Sequence, residues 1–130
     1  MNFIEMELKE IQVNERYQQQ VIILKEKNGE RALPIYIDIF VAEAIYMAVR
    51  NMRSQRPLTH ELLVNTVQLS GGIITKVLID DLKNNTYYGK VVVIKEDGKE
   101  VWVDSRPSDA IAIASRLRVP IFINEKILSY

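Results

Sequence analysis

Alternating apolar and polar positions predict three strands in the first part of the chain, at residues 6–13, 21–24 and 32–37. Asn28-Gly29 separates the second and third strands and is a pair typical of tight hairpin turns. The alternation breaks just before Ile11, which indicates an irregularity in the first strand. Together these elements predict a three-strand antiparallel meander.

A helix is predicted at residues 39–49, where apolar residues lie on almost every side and Glu43 is the single charge. A surface helix of a small protein normally has one apolar face. We therefore expect one face of this helix to pack on the sheet and another to meet a partner helix or a second subunit. We expect a homodimer, or a higher homo-oligomer, with its contact here. The run is far shorter than the roughly 20 residues that cross a bilayer, so no membrane segment is expected.

The same pattern returns in the second half of the chain. Three more strands are predicted at residues 73–82, 86–94 and 100–103. A helix at residues 107–117 follows them, as the first helix follows the first meander. Two elements lie outside this repetition: a helix at residues 60–70, with Thr59 predicted as its cap, and a short strand at residues 120–123.

The two halves also match residue by residue, which indicates a duplication. Matching pairs include Leu8 with Leu78, Lys25 with Lys95, Asp38 with Asp104, and Glu43 with Asp109. We predict one domain over residues 1–130 with internal repeats at residues 5–52 and 74–118. The fold class is α+β, a mainly antiparallel sheet from a duplicated β-β-β-α unit with the helices packed on it.

The charge and cysteine content limit the classes of function. Seventeen basic residues balance seventeen acidic ones, which argues against a protein that coats nucleic acid through bulk charge. The chain has no cysteine, so disulfides and thiolate metal sites are excluded. The acidic N-terminal stretch does not resemble a signal peptide, and we expect a cytoplasmic location.

The corner before residues 107–117 is the first candidate site. Its polar side chains are Asp104, Ser105, Arg106, Ser108 and Asp109. A helix N-terminus beside a guanidinium can hold a phosphate, and Asp104 with Asp109 could bind a divalent cation such as Mg²⁺ or Mn²⁺. The structural alternative is that Ser105 or Ser108 caps the helix while Arg106 pairs with a neighbouring carboxylate.

The stretch around the only histidine is the second candidate site. His60 lies in the first turn of a predicted helix, where the helix dipole disfavours its protonated form and leaves it available as a base. Arg56 could stabilise charge on a phosphate, and Thr59 lies beside both. The alternative is that these residues only cap and rigidify the helix. Glu43 joins the candidates because a lone charge in an apolar helix is either ion-paired or functional.

Several catalytic motifs are absent from the sequence. It contains no H-E-x-x-H, no phosphate-binding glycine loop, no G-x-S-x-G and no dinucleotide-binding glycine fingerprint. These absences remove most zinc hydrolases, nucleotide-triphosphate enzymes and dinucleotide oxidoreductases.

Three motifs give the chain a family resemblance. They are R-P-L-T-H-E at residues 56–61, L-K-N-N-T-Y-Y at residues 82–88, and D-S-R-P-S-D-A-I-A-I-A at residues 104–114. With these motifs in the same order over essentially the whole chain, the sequence resembles the bifunctional nuclease domain family. The chain departs from the family where members often have glycine after the third strand, because Asp38-Ile39 stands there.

The resemblance implies an α+β fold that forms dimers, with weak nuclease activity on DNA and RNA in some members. It implies no assigned catalytic residue, so roles are inferred from the residues themselves. We expect His60, Asp104, Asp109 and Glu43 to be catalytic and Arg56, Thr59, Arg106 and Ser108 to bind substrate. Two alternatives stay open: a non-enzymatic dimeric module that binds an anion or a protein at the same corner, and a hydrolase of a small phosphorylated metabolite.

Overall fold

The computed structural model describes residues 1–12 and 19–128, the latter starting with the backbone alone of Gln19. The strands are β1 (Phe3–Gln12), β2 (Gln19–Glu26), β3 (Ala32–Asp38), β4 (Ile73–Lys83), β5 (Thr86–Ile94), β6 (Glu100–Ser105) and β7 (Ile121–Asn124). The helices are α1 (Ile39–Val49), α2 (Thr59–Leu69), α3 (Pro107–Leu117) and α4 (Glu125–Leu128). Val13, the predicted last residue of the first strand, lies outside the described residues.

The strands form one sheet in the order β3-β2-β1-β7-β4-β5-β6. Every pairing is antiparallel except that of β4 with β7, which is parallel. The predicted α+β class with a mainly antiparallel sheet is therefore confirmed. Two three-strand meanders flank β7 in mirrored order, which is the arrangement expected of two β-β-β-α units. The predicted irregularity of β1 is present, because its register with β2 shifts between Leu8 and Glu10.

The main core lies between one face of the sheet and the helices. α1 packs on β2 and β3, α3 packs on β4 and β5, and the two helices pack on each other. Ile45 of α1 and Ile111 of α3 are completely buried, as are Ile22 and Ile79 from the sheet. The partner helix expected for the apolar helix is therefore α3. Each such side chain contributes about 1.5–3 kcal/mol through burial.

The other face of the sheet is concave and carries a smaller apolar cluster. The rings of Phe3 on β1 and Trp102 on β6 meet edge to face with centroids 6.3 Å apart, although three strands separate β1 from β6 in the sheet. Leu78 and Val92 are buried on this face, between core positions that point toward the helices. The sheet is thus strongly curled, and its concave face is the one opposite the helices.

Two predicted helix caps are wrong. Thr59 is the first helical residue of α2, and Leu58 precedes it as a cap without a side-chain hydrogen bond. At α3 the cap is Arg106, and the Ser105 hydroxyl donates to the Arg106 carbonyl instead of accepting from the helix. The reason is that β6 stays paired with β5 as far as Ser105 and Gly89, while Pro107 removes one donor from the first turn.

No helix in the described ranges is long and apolar enough to span a membrane.

Candidate functional site

A cleft of about 1030 Å³ lies where the N-terminal ends of α1, α2 and α3 meet. Its walls are mostly apolar, from side chains such as Met47 of α1, Leu63 of α2 and Val103 of β6. Its polar lining residues are Asp38, Glu43, Ser54, Thr59, His60, Asp104, Ser105, Arg106 and Asp109. The start of α2, which follows Pro57, and the start of α3, at Pro107, therefore both contribute to this one cleft.

His60 and Asp109 form a hydrogen-bonded pair in this cleft. His60 Nε2 lies 2.9 Å from Asp109 Oδ1, although 49 positions separate the two residues. The His60 side chain is 18% exposed, so it is sheltered but reachable from solvent. Of the two His60 ring nitrogens, only Nε2 has a hydrogen-bond partner among the described residues. A carboxylate on Nε2 favours the tautomer that carries its proton there, which leaves Nδ1 as a proton acceptor.

Arg106 holds the same carboxylate in a two-pronged contact. Its Nε donates to Asp109 Oδ2 at 2.7 Å and its Nη2 donates to Asp109 Oδ1 at 3.2 Å. Partial burial raises the pKa of Asp109, but the hydrogen bonds and charges of Arg106 and His60 outweigh it, so the pKa lies below its usual value. Asp109 is therefore an ionised acceptor that orients His60.

Asp38 adds a second carboxylate to Arg106. Its Oδ1 accepts the backbone N–H of Val41 at 2.9 Å and so caps α1. Its Oδ2 lies 3.6 Å from Arg106 Nη1. The contacts of Asp109 and Asp38 together raise the pKa of Arg106. Sequence reasoning did not select Asp38 as a site residue, although its match with Asp104 in the repeat marked it as the equivalent corner position.

Asp104 contacts a different set of residues. Its Oδ1 lies 3.3 Å from the ammonium group of Lys90, which also lies 3.2 Å from Asp80. Burial lowers the pKa of Lys90, but these two carboxylates outweigh it and raise the pKa overall. Lys90 alternates with the core residue Val91, so this cluster faces away from α3. The alternation of Lys90 with Val91 could be read from the sequence. Asp104 was not placed opposite Lys90, however, because the predicted sixth strand ended at residue 103.

The described residues do not fit the divalent cation that was considered as one possibility for Asp104 and Asp109. Among them no group of three or more histidine, aspartate or glutamate side chains is placed to hold a metal. The two carboxylates bind Lys90 and the Arg106–His60 pair instead. No step of the chemistry is therefore assigned to a metal.

The other predicted site residues are distributed unevenly. Glu43 is exposed on the α1 wall of the cleft, and Thr59 is exposed on the α2 wall. Ser108 is buried in the first turn of α3. Arg56 is exposed, and its side chain is not part of the cleft lining.

A glycine allows the α3 corner to approach the sheet. A Cβ added at Gly89 of β5 would lie 3.1 Å from the Ser105 carbonyl oxygen and 3.2 Å from the Pro107 Cα. Both neighbours are backbone atoms, which cannot rotate away. Gly89 therefore fixes the position from which Arg106 and Asp109 enter the cleft, a role that sequence reasoning missed.

A buried ion pair between α2 and α3 stabilises α2 on a side that does not line the cleft. Arg116 Nη2 of α3 lies 3.8 Å from Glu61 Oε1 of α2, and Arg116 Nη1 donates to the Met52 carbonyl. The side chains of Arg116 and Glu61 are only 9% and 13% exposed. The R-P-L-T-H-E motif thus sends His60 into the cleft and Glu61 into the α2–α3 interface.

The chain matches the sequence model of the bifunctional nuclease domain over residues 22–130. It is 36% identical over 119 residues to an uncharacterized protein of Mycobacterium tuberculosis, covering 92% of this chain and 70% of that protein. It is 31% identical over 109 residues to bifunctional nuclease 1 of Oryza sativa and 31% identical over 112 residues to bifunctional nuclease 2 of Arabidopsis thaliana. These alignments cover 82% and 84% of this chain but 33% and 34% of the plant proteins.

Proposed function

This chain belongs to the bifunctional nuclease domain family, and from that premise we propose that it hydrolyses phosphodiester bonds of DNA and RNA weakly and with low specificity. The observation that carries the proposal is the His60–Asp109 pair beside Arg106 in an open cleft. A histidine oriented by a carboxylate, with a guanidinium beside it, is a common arrangement for general acid–base chemistry on phosphates.

In the proposed reaction, His60 Nδ1 takes a proton from a water molecule while that water's oxygen bonds to phosphorus. The bond between phosphorus and the leaving oxygen breaks, and the imidazolium returns the proton to that oxygen. Asp109 keeps the ring oriented and stabilises its positive charge while it holds the proton. Arg106 and the Thr59 hydroxyl contact the phosphate, and Glu43, on the facing wall, orients the attacking water.

The charge of the cleft supports the weakness of the proposed activity. Among the described lining residues, the carboxylates of Asp38, Glu43 and Asp109 face the single guanidinium of Arg106, while the Asp104 carboxylate is paired with Lys90 on the other face of the sheet. A phosphate backbone is held mainly by cationic groups, so the cleft binds it poorly. A protein of zero net charge also provides no long-range attraction.

Kinetics of purified variants test the proposal. With labelled single-stranded and duplex DNA and RNA as substrates, His60→Gln should lower kcat by about 10² or more, as expected for loss of a general base. Asp97→Asn is the control, since among the described residues Asp97 only accepts a hydrogen bond from the Lys99 backbone N–H, in the exposed β5–β6 hairpin. Equal rates for His60→Gln and the control would show that His60 does not act as the base, and the proposed mechanism would be wrong.

A non-enzymatic module that binds an anion or a protein is the second candidate function. The observation that favours it is that Arg106 already contacts two carboxylates, so its charge is largely neutralised within the chain. In that case no substrate would be cleaved, while His60→Gln and wild type would bind the same oligonucleotide or partner alike. Single-turnover assays with excess protein distinguish the two candidates, because even slow cleavage gives product.

We also propose that α1 forms a homodimer contact. Phe40 is 80% exposed, and Ile39, Tyr46 and Val49 on the same helix are exposed as well. Such a concentration of exposed apolar side chains is typical of an interface. Light scattering should show a dimer that Phe40→Glu converts to a monomer. Leu69→Glu, on the exposed end of α2, is the control, and dissociation by that variant alone would contradict an α1 interface.

A further inference from the structure

Asp38 contacts the cationic group that a phosphate would need. Of the Arg106 nitrogens, Nε and Nη2 bind Asp109 at 2.7 and 3.2 Å, whereas Nη1 faces Asp38 Oδ2 at 3.6 Å. The side chains of Asp38 and Arg106 are 45% and 63% exposed. The Asp109 contact is thus tight and two-pronged, and the Asp38 contact is long and open to water.

We propose that Asp38 is an internal competitor that occupies Arg106 Nη1 and lowers the affinity of the cleft for phosphate groups. The inference rests on the proposed function, because it assumes that Arg106 receives the phosphate. An exposed ion pair at this distance contributes little to stability, so an incoming anion can replace it. The Asp109 contact stays in place and keeps His60 oriented.

Asp38 cannot move far from the cleft when it is displaced. Its Oδ1 accepts the Val41 N–H and is held at the start of α1. The carboxylate therefore remains beside the bound phosphate and repels it. Among the described lining residues only Arg106 and His60 can carry positive charge, so one carboxylate fewer changes the balance substantially.

The Asp38→Asn variant distinguishes the effect of the negative charge from the effect of the helix cap. Asn caps helices about as well as Asp, so Asp38→Asn keeps the bond to Val41 while removing the negative charge. Asp97→Asn again serves as the control, because it removes one carboxylate in the β5–β6 hairpin, which does not line the cleft.

Binding of a short fluorescent oligonucleotide, followed by anisotropy in EDTA at low salt, tests the inference, with inorganic phosphate as a second probe. We expect Asp38→Asn to tighten oligonucleotide binding about fivefold, and the gain to shrink at high salt. The Asp97→Asn control should bind like wild type. A gain with inorganic phosphate as well places the effect at a single phosphate group, and a gain with the oligonucleotide alone places it along the strand.

A double-mutant cycle asks whether Asp38 acts through Arg106. In an Arg106→Gln background, Asp38→Asn should lose most of its gain in oligonucleotide affinity, because the guanidinium for which Asp38 and the phosphate compete is absent. Equal affinity of wild type and Asp38→Asn, including no binding by either, overturns the inference, and so does an undiminished gain without Arg106. Hydrolysis is measured separately: tighter binding without cleavage would keep the role of Asp38 and reject the nuclease proposal.

Discussion

The entrances of α1 and α3 follow equivalent edge strands but are built in opposite ways. At α1, Asp38 satisfies the first turn locally through its bond to Val41. At α3 no side chain caps the helix, Pro107 stands at its start, and Asp109 in the first turn binds Arg106 and His60. The start of α1 is capped by its own residues, whereas the first-turn carboxylate of α3 has a partner on a second helix, α2.

The difference lies in which groups each helix start leaves for other elements to bind. The α3 entrance leaves a carboxylate available, and α2, which lies outside the repeated pattern, supplies the histidine that the carboxylate orients. The α1 entrance contributes only the second oxygen of its capping residue, at 3.6 Å from Arg106. In the function proposed above, the chemistry therefore lies at α3 and the carboxylate that competes with it lies at α1.

The largest expected effect comes from breaking the ion pair that supports α2. Arg116→Ala leaves the Glu61 carboxylate buried without its cation, and we expect a loss of roughly 3 kcal/mol in the free energy of unfolding. Urea unfolding measures it. The double variant Glu61→Leu with Arg116→Met should lose less, since no unpaired charge stays buried. A loss below that of the double variant would contradict a supporting role.

A smaller loss is expected when the α3 corner is pushed away from the sheet. In Gly89→Ala the new methyl group meets the backbone of Ser105 and Pro107, and we expect a cost of about 2 kcal/mol together with weaker activity. Gly29→Ala is the control in the other half, where the atoms nearest the new Cβ belong to the Glu26 side chain rather than to backbone. Similar unfolding free energies for the two variants would disprove the corner argument.

The Asp109 carboxylate, which binds Arg106 and His60, should make the start of α3 sensitive to acid. Because the folded pKa of Asp109 lies below the value of 3.8 for a free carboxyl, the unfolded chain takes up the proton first as pH falls. The stabilisation by Asp109 is complete above pH 3.8 and disappears as pH falls through the folded pKa. Asp109→Asn should cost roughly 1.5 kcal/mol at neutral pH and flatten this decline. Parallel acid profiles of urea midpoints for both proteins would reject the assignment.

The smallest effect should come from the closed entrance at α1. Asp38→Ala removes the cap of α1 and should cost about 1 kcal/mol, whereas Asp38→Asn keeps the cap and should be close to neutral. Thermal or urea unfolding separates the two. If both variants lost the same stability, the charge of Asp38 rather than its cap would be holding α1.

Local patterns predicted most of the fold because the signals were local. The bounds of α1, β5 and α3 were predicted to the residue, since helical periodicity, strand alternation and Pro107 depend only on neighbours in the chain. Tyr87 and Tyr88 illustrate the same point: alternation packs the first against the core and leaves the second 38% exposed. Errors came at helix caps, where Thr59 and Ser108 offered side chains that the folded backbone did not use.

The sequence alone determined the order of elements, the α+β class and the two proline-containing corners as places of interest. Only the tertiary structure decided that His60 lies 2.9 Å from Asp109, that Asp104 pairs with Lys90, and that Asp38 reaches Arg106. The physical reason is that periodicity fixes which face of an element is buried, whereas contacts between distant residues depend on how α1, α2 and α3 dock over one curled sheet.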